Sequence, residues 1–168
     1  MAKKKYRIPR EKLPEAISLC IGEIEDYIID AETLINKGSL RHAVIMVQFA
    51  CEELGKANIL KTKHKTSKPN DMIEFKDSLF KDHKPKTNEC FNLIGRDLQI
   101  IYPGGFERGA FTRRAAYITE LMDHVTRTQC SFIGWDEHEN DWMLFPRIDQ
   151  DRLIKIIEAI KRKLSDLF

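Results

Sequence analysis

The sequence predicts an all-α protein, a bundle of about five to six helices whose first two are long and antiparallel. Three observations carry this. Apolar residues recur at three- and four-residue spacing in one segment after another. Breakers fall between those segments: Gly38, Pro69, Pro85 and Pro103-Gly104-Gly105. No period-two alternation persists along the chain, so no strand is expected.

The first helix is expected to start between Pro9 and Pro14 and to run to Lys37. Leu13, Ile17, Cys20, Ile24, Ile28, Ala31 and Ile35 form its inward stripe. Pro14 fits only in a first helical turn, which fixes the start close before it. Ser39 is expected to cap a second helix over residues 40–63, and Lys37-Gly38-Ser39 is short enough to fold the two into a hairpin. Residues 66–71 read as a loop. A short third helix, capped by Asp71, would turn Met72, Phe75, Leu79 and Phe80 inward, with His83-Lys84-Pro85-Lys86 as the connection after it. Cys90, Phe91, Ile94, Leu98 and Ile101 mark a fourth helix, and Phe111 to Val125 a fifth over about residues 107–128. Residues 131–146 read as irregular and carry both tryptophans. Leu153, Ile156, Ile157, Ile160 and Leu164 mark a last helix from about Asp149 to Leu167.

At 168 residues the chain suits a single domain, 1–168, with residues 1–8 as a flexible basic tail. The net charge of +2 gives no global field for nucleic acid, so RNA binding would need a local basic patch. Four scattered cysteines without a C-x-x-C pair argue against a zinc site or a disulfide framework and fit a reducing cytoplasm. No apolar run approaches membrane-spanning length. H-E-x-x-H, P-loop, G-x-G-x-x-G and G-x-S-x-G patterns are absent, so no metal or cofactor is expected.

Three clusters carry chemistry. Gln48-Phe49-Ala50-Cys51-Glu52-Glu53-Leu54-Gly55-Lys56 sets two acids, a glycine and a lysine at the end of a nearly all-apolar run. Lys56 can reach Glu52 or Glu53 on the same helix, and an exposed ion-pair ladder worth about a few tenths of a kcal/mol per pair accounts for these residues as well as a site does. Arg41, Gln48 and Glu52 form a polar seam beside the buried face. Gly55 points further. Inside a helix glycine costs about 1 kcal/mol against alanine, which implies that another backbone or a ligand passes close. The second cluster, Asp82-His83-Lys84-Pro85-Lys86, offers a proton-transfer group beside two cations, or simply a basic surface turn. The third is Arg113-Arg114-Ala115-Ala116-Tyr117, where Arg114 and Tyr117 share one helical edge. Arg114 suits a phosphate, or equally Glu52 or Glu53 across the bundle.

In this order the clusters resemble the AbiV family of abortive-infection proteins, a phage-defence branch of the HEPN superfamily. The matching pieces are Ala43, Phe49 to Lys56 with its E-E-L-G-K, the D-H-K-x-K of Asp82 to Lys86, the R-x-x-Y of Arg114 to Tyr117, and Trp142 to Pro146. Together they span roughly residues 17–164. The resemblance implies a HEPN-like helical bundle, a homodimer and a role in bacterial antiviral defence. HEPN proteins often cleave RNA without metal through R-x4-6-H, a spacing this chain lacks: no arginine has a histidine five to seven residues downstream, and His124 is too far from Arg114.

On the matched residues, a ribonuclease would use His83 as general acid or base. Lys86 and Arg114 would stabilise the phosphorane, and Tyr117 would orient a phosphate or stack a base. Glu53 would fix Lys56 or Arg114, while Lys56, Lys84 and Glu52 would line the substrate. The alternative is a non-catalytic HEPN module that binds a protein partner, either a phage or host trigger or a cognate toxin or antitoxin. In that case the same polar residues form a network that sets helix register.

Overall fold

The computed structural model describes residues 5–101, 135–136, 141–142 and 148–167. Its frame is a helical hairpin. Helix α1 (Leu13–Asn36) buries the expected stripe, with Pro14 in its first turn. It ends in a Schellman motif: Gly38, at φ 72°, donates to the Ile35 carbonyl and Ser39 to that of Leu34. Helix α2 (Leu40–Thr66) then packs back along α1, three residues longer than expected. Ser39 precedes it without a side-chain cap, because its hydroxyl is bonded to His42 Nδ1 at 2.9 Å.

Helix α2 is the centre of the fold. Val44, Val47, Ala50, Cys51, Leu54, Ala57 and Leu60 leave almost no face of it open. Helix α4 (His83–Ile101) packs against α2, and α5 (Gln150–Ser165) lies across α1, α2 and α4. Asp149 caps α5 by accepting from the Arg152 amide, and Lys161 ties it to Glu32 of α1 at 2.6 Å. Leu153, Ile156, Ile157 and Ile160 close the core from that helix.

Three expectations are corrected here. Residues 72–76 form a strand, β2 (Met72–Lys76), not a helical turn, and pair antiparallel with β1 (Lys5–Pro9). Met-Ile-Glu-Phe-Lys alternates over its whole length, so Ile73 and Phe75 turn inward while Met72 is exposed. Residues 5–8 are therefore strand rather than loose tail, held also by the Lys5–Glu74 ion pair at 2.6 Å. A one-turn helix α3 (Ser78–Lys81) follows β2. Finally, His83 to Lys86 is not a connection but the first turn of α4, where Pro85 costs no intrahelical donor.

Trp135–Asp136 (β3) and Asp141–Trp142 (β4) pair as a minimal ladder within the stretch read as irregular. The expected helix over residues 107–128, with Arg114, Tyr117 and His124, lies outside the described residues. Among the described residues no helix is long and apolar enough to cross a membrane.

Candidate functional site

The site is set by how α4 crosses α2. An alanine Cβ placed on Gly55 would sit 1.8 Å from the Lys86 carbonyl oxygen and 3.1 Å from the Cys90 amide nitrogen. The first turn of α4 thus lies directly on the Gly55 backbone, the close approach that a mid-helix glycine implies. One turn back along α2 from Gly55 stands Glu52, and the crossing delivers two α4 side chains to it.

His83 and Lys86 are three apart on α4 and so share a face. His83 Nδ1 donates to Glu52 Oε2 at 2.7 Å, and Lys86 Nζ lies 3.3 Å from the same oxygen. The environments differ. The Lys86 side chain is 6% exposed and that of Glu52 9%, whereas the His83 side chain is 48% exposed. A buried carboxylate is thereby neutralised by a buried ammonium and holds a half-exposed imidazole in a set orientation. Gln48, also buried, continues the polar seam one turn further back, and the partly buried Arg41 begins it.

Glu53 faces elsewhere. Successive helical residues point about 100° apart, and Glu53 pairs at 2.5 Å with Lys56 on the same helix, toward α1. Of the two partners that spacing allows Lys56, this is the pair in the structure. Burial pushes the Cys20 thiol of α1 up to about 12; Lys56 opposes that rise, and Glu53, to which the thiol hydrogen-bonds, adds to it. Burial likewise raises the Tyr27 phenol, with Glu23, Glu53 and Glu52 adding to the effect. The expected constellation is therefore two sets: Glu52, His83 and Lys86 on the α4 side, and Glu53, Lys56 and Cys20 on the α1 side. Lys84 is exposed on the first turn of α4. Arg114 and Tyr117 lie outside the described residues.

The Cys20 environment carries a pH prediction. Its folded value lies above the unfolded value of 9.0, so its contribution is fully present below that pH. Stability should then fall as pH rises from 9.0 towards about 12, since only the unfolded chain can release the proton easily. Unfolding midpoints measured across that window should decline, and Cys20→Ala should flatten the decline. An unchanged slope in the variant would assign the alkaline loss to other groups.

Sequence reasoning missed the Asn58–Glu89 bond, 2.6 Å, which extends the α2–α4 seam beyond Gly55. It also treated Cys20 only as core. Neither had a signal in spacing, because each depends on a partner from another helix.

The AbiV family model matches residues 12–163, from the first residues of the hairpin to the last turns of α5. The chain belongs to the AbiV family of HEPN proteins. The AbiV family is one of abortive infection, so the chain's biological setting is phage defence. The all-helical frame and the long α1–α2 hairpin agree with a HEPN bundle. No curated protein and no solved structure matches it.

Proposed function

We propose that this AbiV protein is a defence effector that acts on RNA as a metal-independent endoribonuclease, with His83 as its proton-transfer group. The observation that supports this is the 2.7 Å bond from His83 Nδ1 to Glu52 in a half-exposed ring. A carboxylate accepts only, so Nδ1 carries a proton, and in the neutral ring Nε2 then holds the lone pair that a general base needs. On an RNA substrate Nε2 takes the proton of a 2′-hydroxyl. The 2′-oxygen then bonds to phosphorus, and the bond to the 5′-oxygen breaks. A 2′,3′-cyclic phosphate is left on one fragment, and the leaving 5′-oxygen takes a proton from water.

Glu52 and Lys86 are positioning residues in this scheme. Lys86 is too buried to meet a phosphate and instead holds Glu52. The exposed Lys84, with Arg114, is left to balance the phosphorane charge. A homodimer belongs to the same proposal and would rest on apolar surface such as Leu19 and Ile29, both exposed on α1.

A second reading draws on the same burial. A carboxylate and an ammonium enclosed between α2 and α4 also serve a non-catalytic module, where they set the crossing and the exposed surface binds a phage or host protein. Sequencing of RNA 5′ ends in bacteria expressing wild type or His83→Ala separates the two. New 5′-hydroxyl ends and growth arrest are expected with wild type and should be lost in the variant, a drop of about a hundredfold or more in cleavage. Equal toxicity and equal ends in both strains would overturn the ribonuclease reading.

A further inference from the structure

The outer face of α1 carries Leu19 and Ile29, 67% and 59% exposed, with the exposed Gly22 between them. We propose that this strip docks a basic amphipathic helix of another protein. The inference is independent of any cleavage at His83.

Single exposed apolar residues are ordinary on a soluble protein. These two share a face. At about 100° per residue, Ile29 lies about 20° from Gly22 around the axis and Leu19 about 60°, and about 15 Å of helix separates the pair. Gly22 points further. A glycine inside a helix costs about 1 kcal/mol against alanine, and at Gly55 the close passage of α4 accounts for it. An added Cβ at Gly22 would meet nothing within 4 Å, and its φ is not positive. Neither packing nor backbone conformation within the chain calls for glycine there. With exposed leucine and isoleucine on either side, Gly22 leaves room for a second helix at close range, as Gly55 does for α4.

Charge selects the occupant. Helix α1 holds six acids, Glu15, Glu23, Glu25, Asp26, Asp30 and Glu32, and no lysine, arginine or histidine. Lys12 answers Glu15, and Lys161 answers Glu32. Glu25 and Asp26, both exposed, flank the Gly22 strip on its two sides, and among the described residues no cation pairs with either. A helix with lysines beside an apolar stripe would meet the apolar pair and these carboxylates together. A homodimer would draw on the same two apolar side chains. It would also lay α1 on a copy of itself and set acids against acids, which opposes binding. A basic helix is the better occupant.

The test is titration of the full chain with a labelled helical peptide of lysine, leucine and alanine whose apolar residues form one stripe, read by fluorescence anisotropy. Binding should saturate and should weaken as salt is raised. A scrambled peptide of the same composition keeps the charge but loses the stripe, and should bind about tenfold or more weakly. Gly22→Ala should lower the affinity by about tenfold or more. Alanine is the better helix former, so unfolding does not account for that loss. Leu19→Ala/Ile29→Ala should weaken binding as much while circular dichroism shows it folded. Glu25→Lys/Asp26→Lys should favour a peptide with glutamate in place of lysine. His83→Ala should bind as wild type does. Absence of saturable binding, equal binding of the scrambled peptide, or unaltered affinity in Gly22→Ala and Leu19→Ala/Ile29→Ala would each overturn the proposal. So would light scattering that shows a dimer, split by Leu19→Ala/Ile29→Ala, from which the peptide is excluded.

Discussion

Gly55→Ala should destabilise the protein by about 3 kcal/mol or more, although alanine is the better helix former by about 1 kcal/mol. The added Cβ would fall 1.8 Å from the Lys86 carbonyl oxygen and 2.7 Å from its carbon. Both are backbone atoms inside a helical turn, so no side chain can swing away to make room. Helix α4 must instead back off from α2, opening the Cys51–Cys90 contact between the two helices. The same retreat would draw His83 and Lys86 away from Glu52, so activity should fall with stability. Gly22 is the internal control: it is exposed on α1, and an added Cβ there meets nothing within 4 Å. Gly22→Ala should therefore gain about 0.5–1 kcal/mol. Urea unfolding of the two variants checks this, and a Gly55→Ala protein as stable as wild type would rule out the tight crossing.

Glu52→Ala should cost about 3–5 kcal/mol, because it leaves the Lys86 ammonium buried without its counter-charge. The geometry that makes this large is the 6% exposure of the Lys86 side chain and its 3.3 Å approach to Glu52. Adding Lys86→Met to Glu52→Ala should restore most of the loss, since a buried pair replaced by apolar side chains is often neutral in stability. A double-mutant cycle in chemical denaturation measures this coupling. His83→Ala should behave differently. Its side chain is half exposed, and pairs of that kind contribute about 0–1 kcal/mol. Loss of activity in His83→Ala at nearly full stability would then report on chemistry. A fall of several kcal/mol in His83→Ala would instead place the histidine in the structural network.

Much of the frame could be read before any coordinates. The three- and four-residue spacing of Leu13 to Ile35 marks α1 because one helical face repeats with that period. Gly38 ends it because the left-handed turn favours a residue without Cβ. Gly55 announced a close approach on similar grounds, and the backbone of α4 proved to be what approaches. The strand pair was missed because Met72 to Lys76 is five residues long, and its apolar positions also fit a helical face when Leu79 and Phe80 are counted with them. The alternation was present; only pairing with β1 gave it meaning.

What the sequence determined by itself was local: which segments are helical, where they stop, and which positions carry acids, lysines and the histidine. Those properties depend on neighbours a few residues away, and spacing records them. Tertiary structure decided the partners. Glu52 and Glu53 are adjacent in the chain, yet one takes His83 and Lys86 from α4 and the other pairs with Lys56 beside Cys20 of α1. The hollow lined by Lys61 and Lys65 of α2, Asn92 of α4 and Lys163 of α5 likewise exists only where those helices meet. Such pairings depend on the rotation of each helix about its axis and on the angle at which it crosses the next. Both are set by the packing of the whole core and cannot be read from residue spacing within one helix.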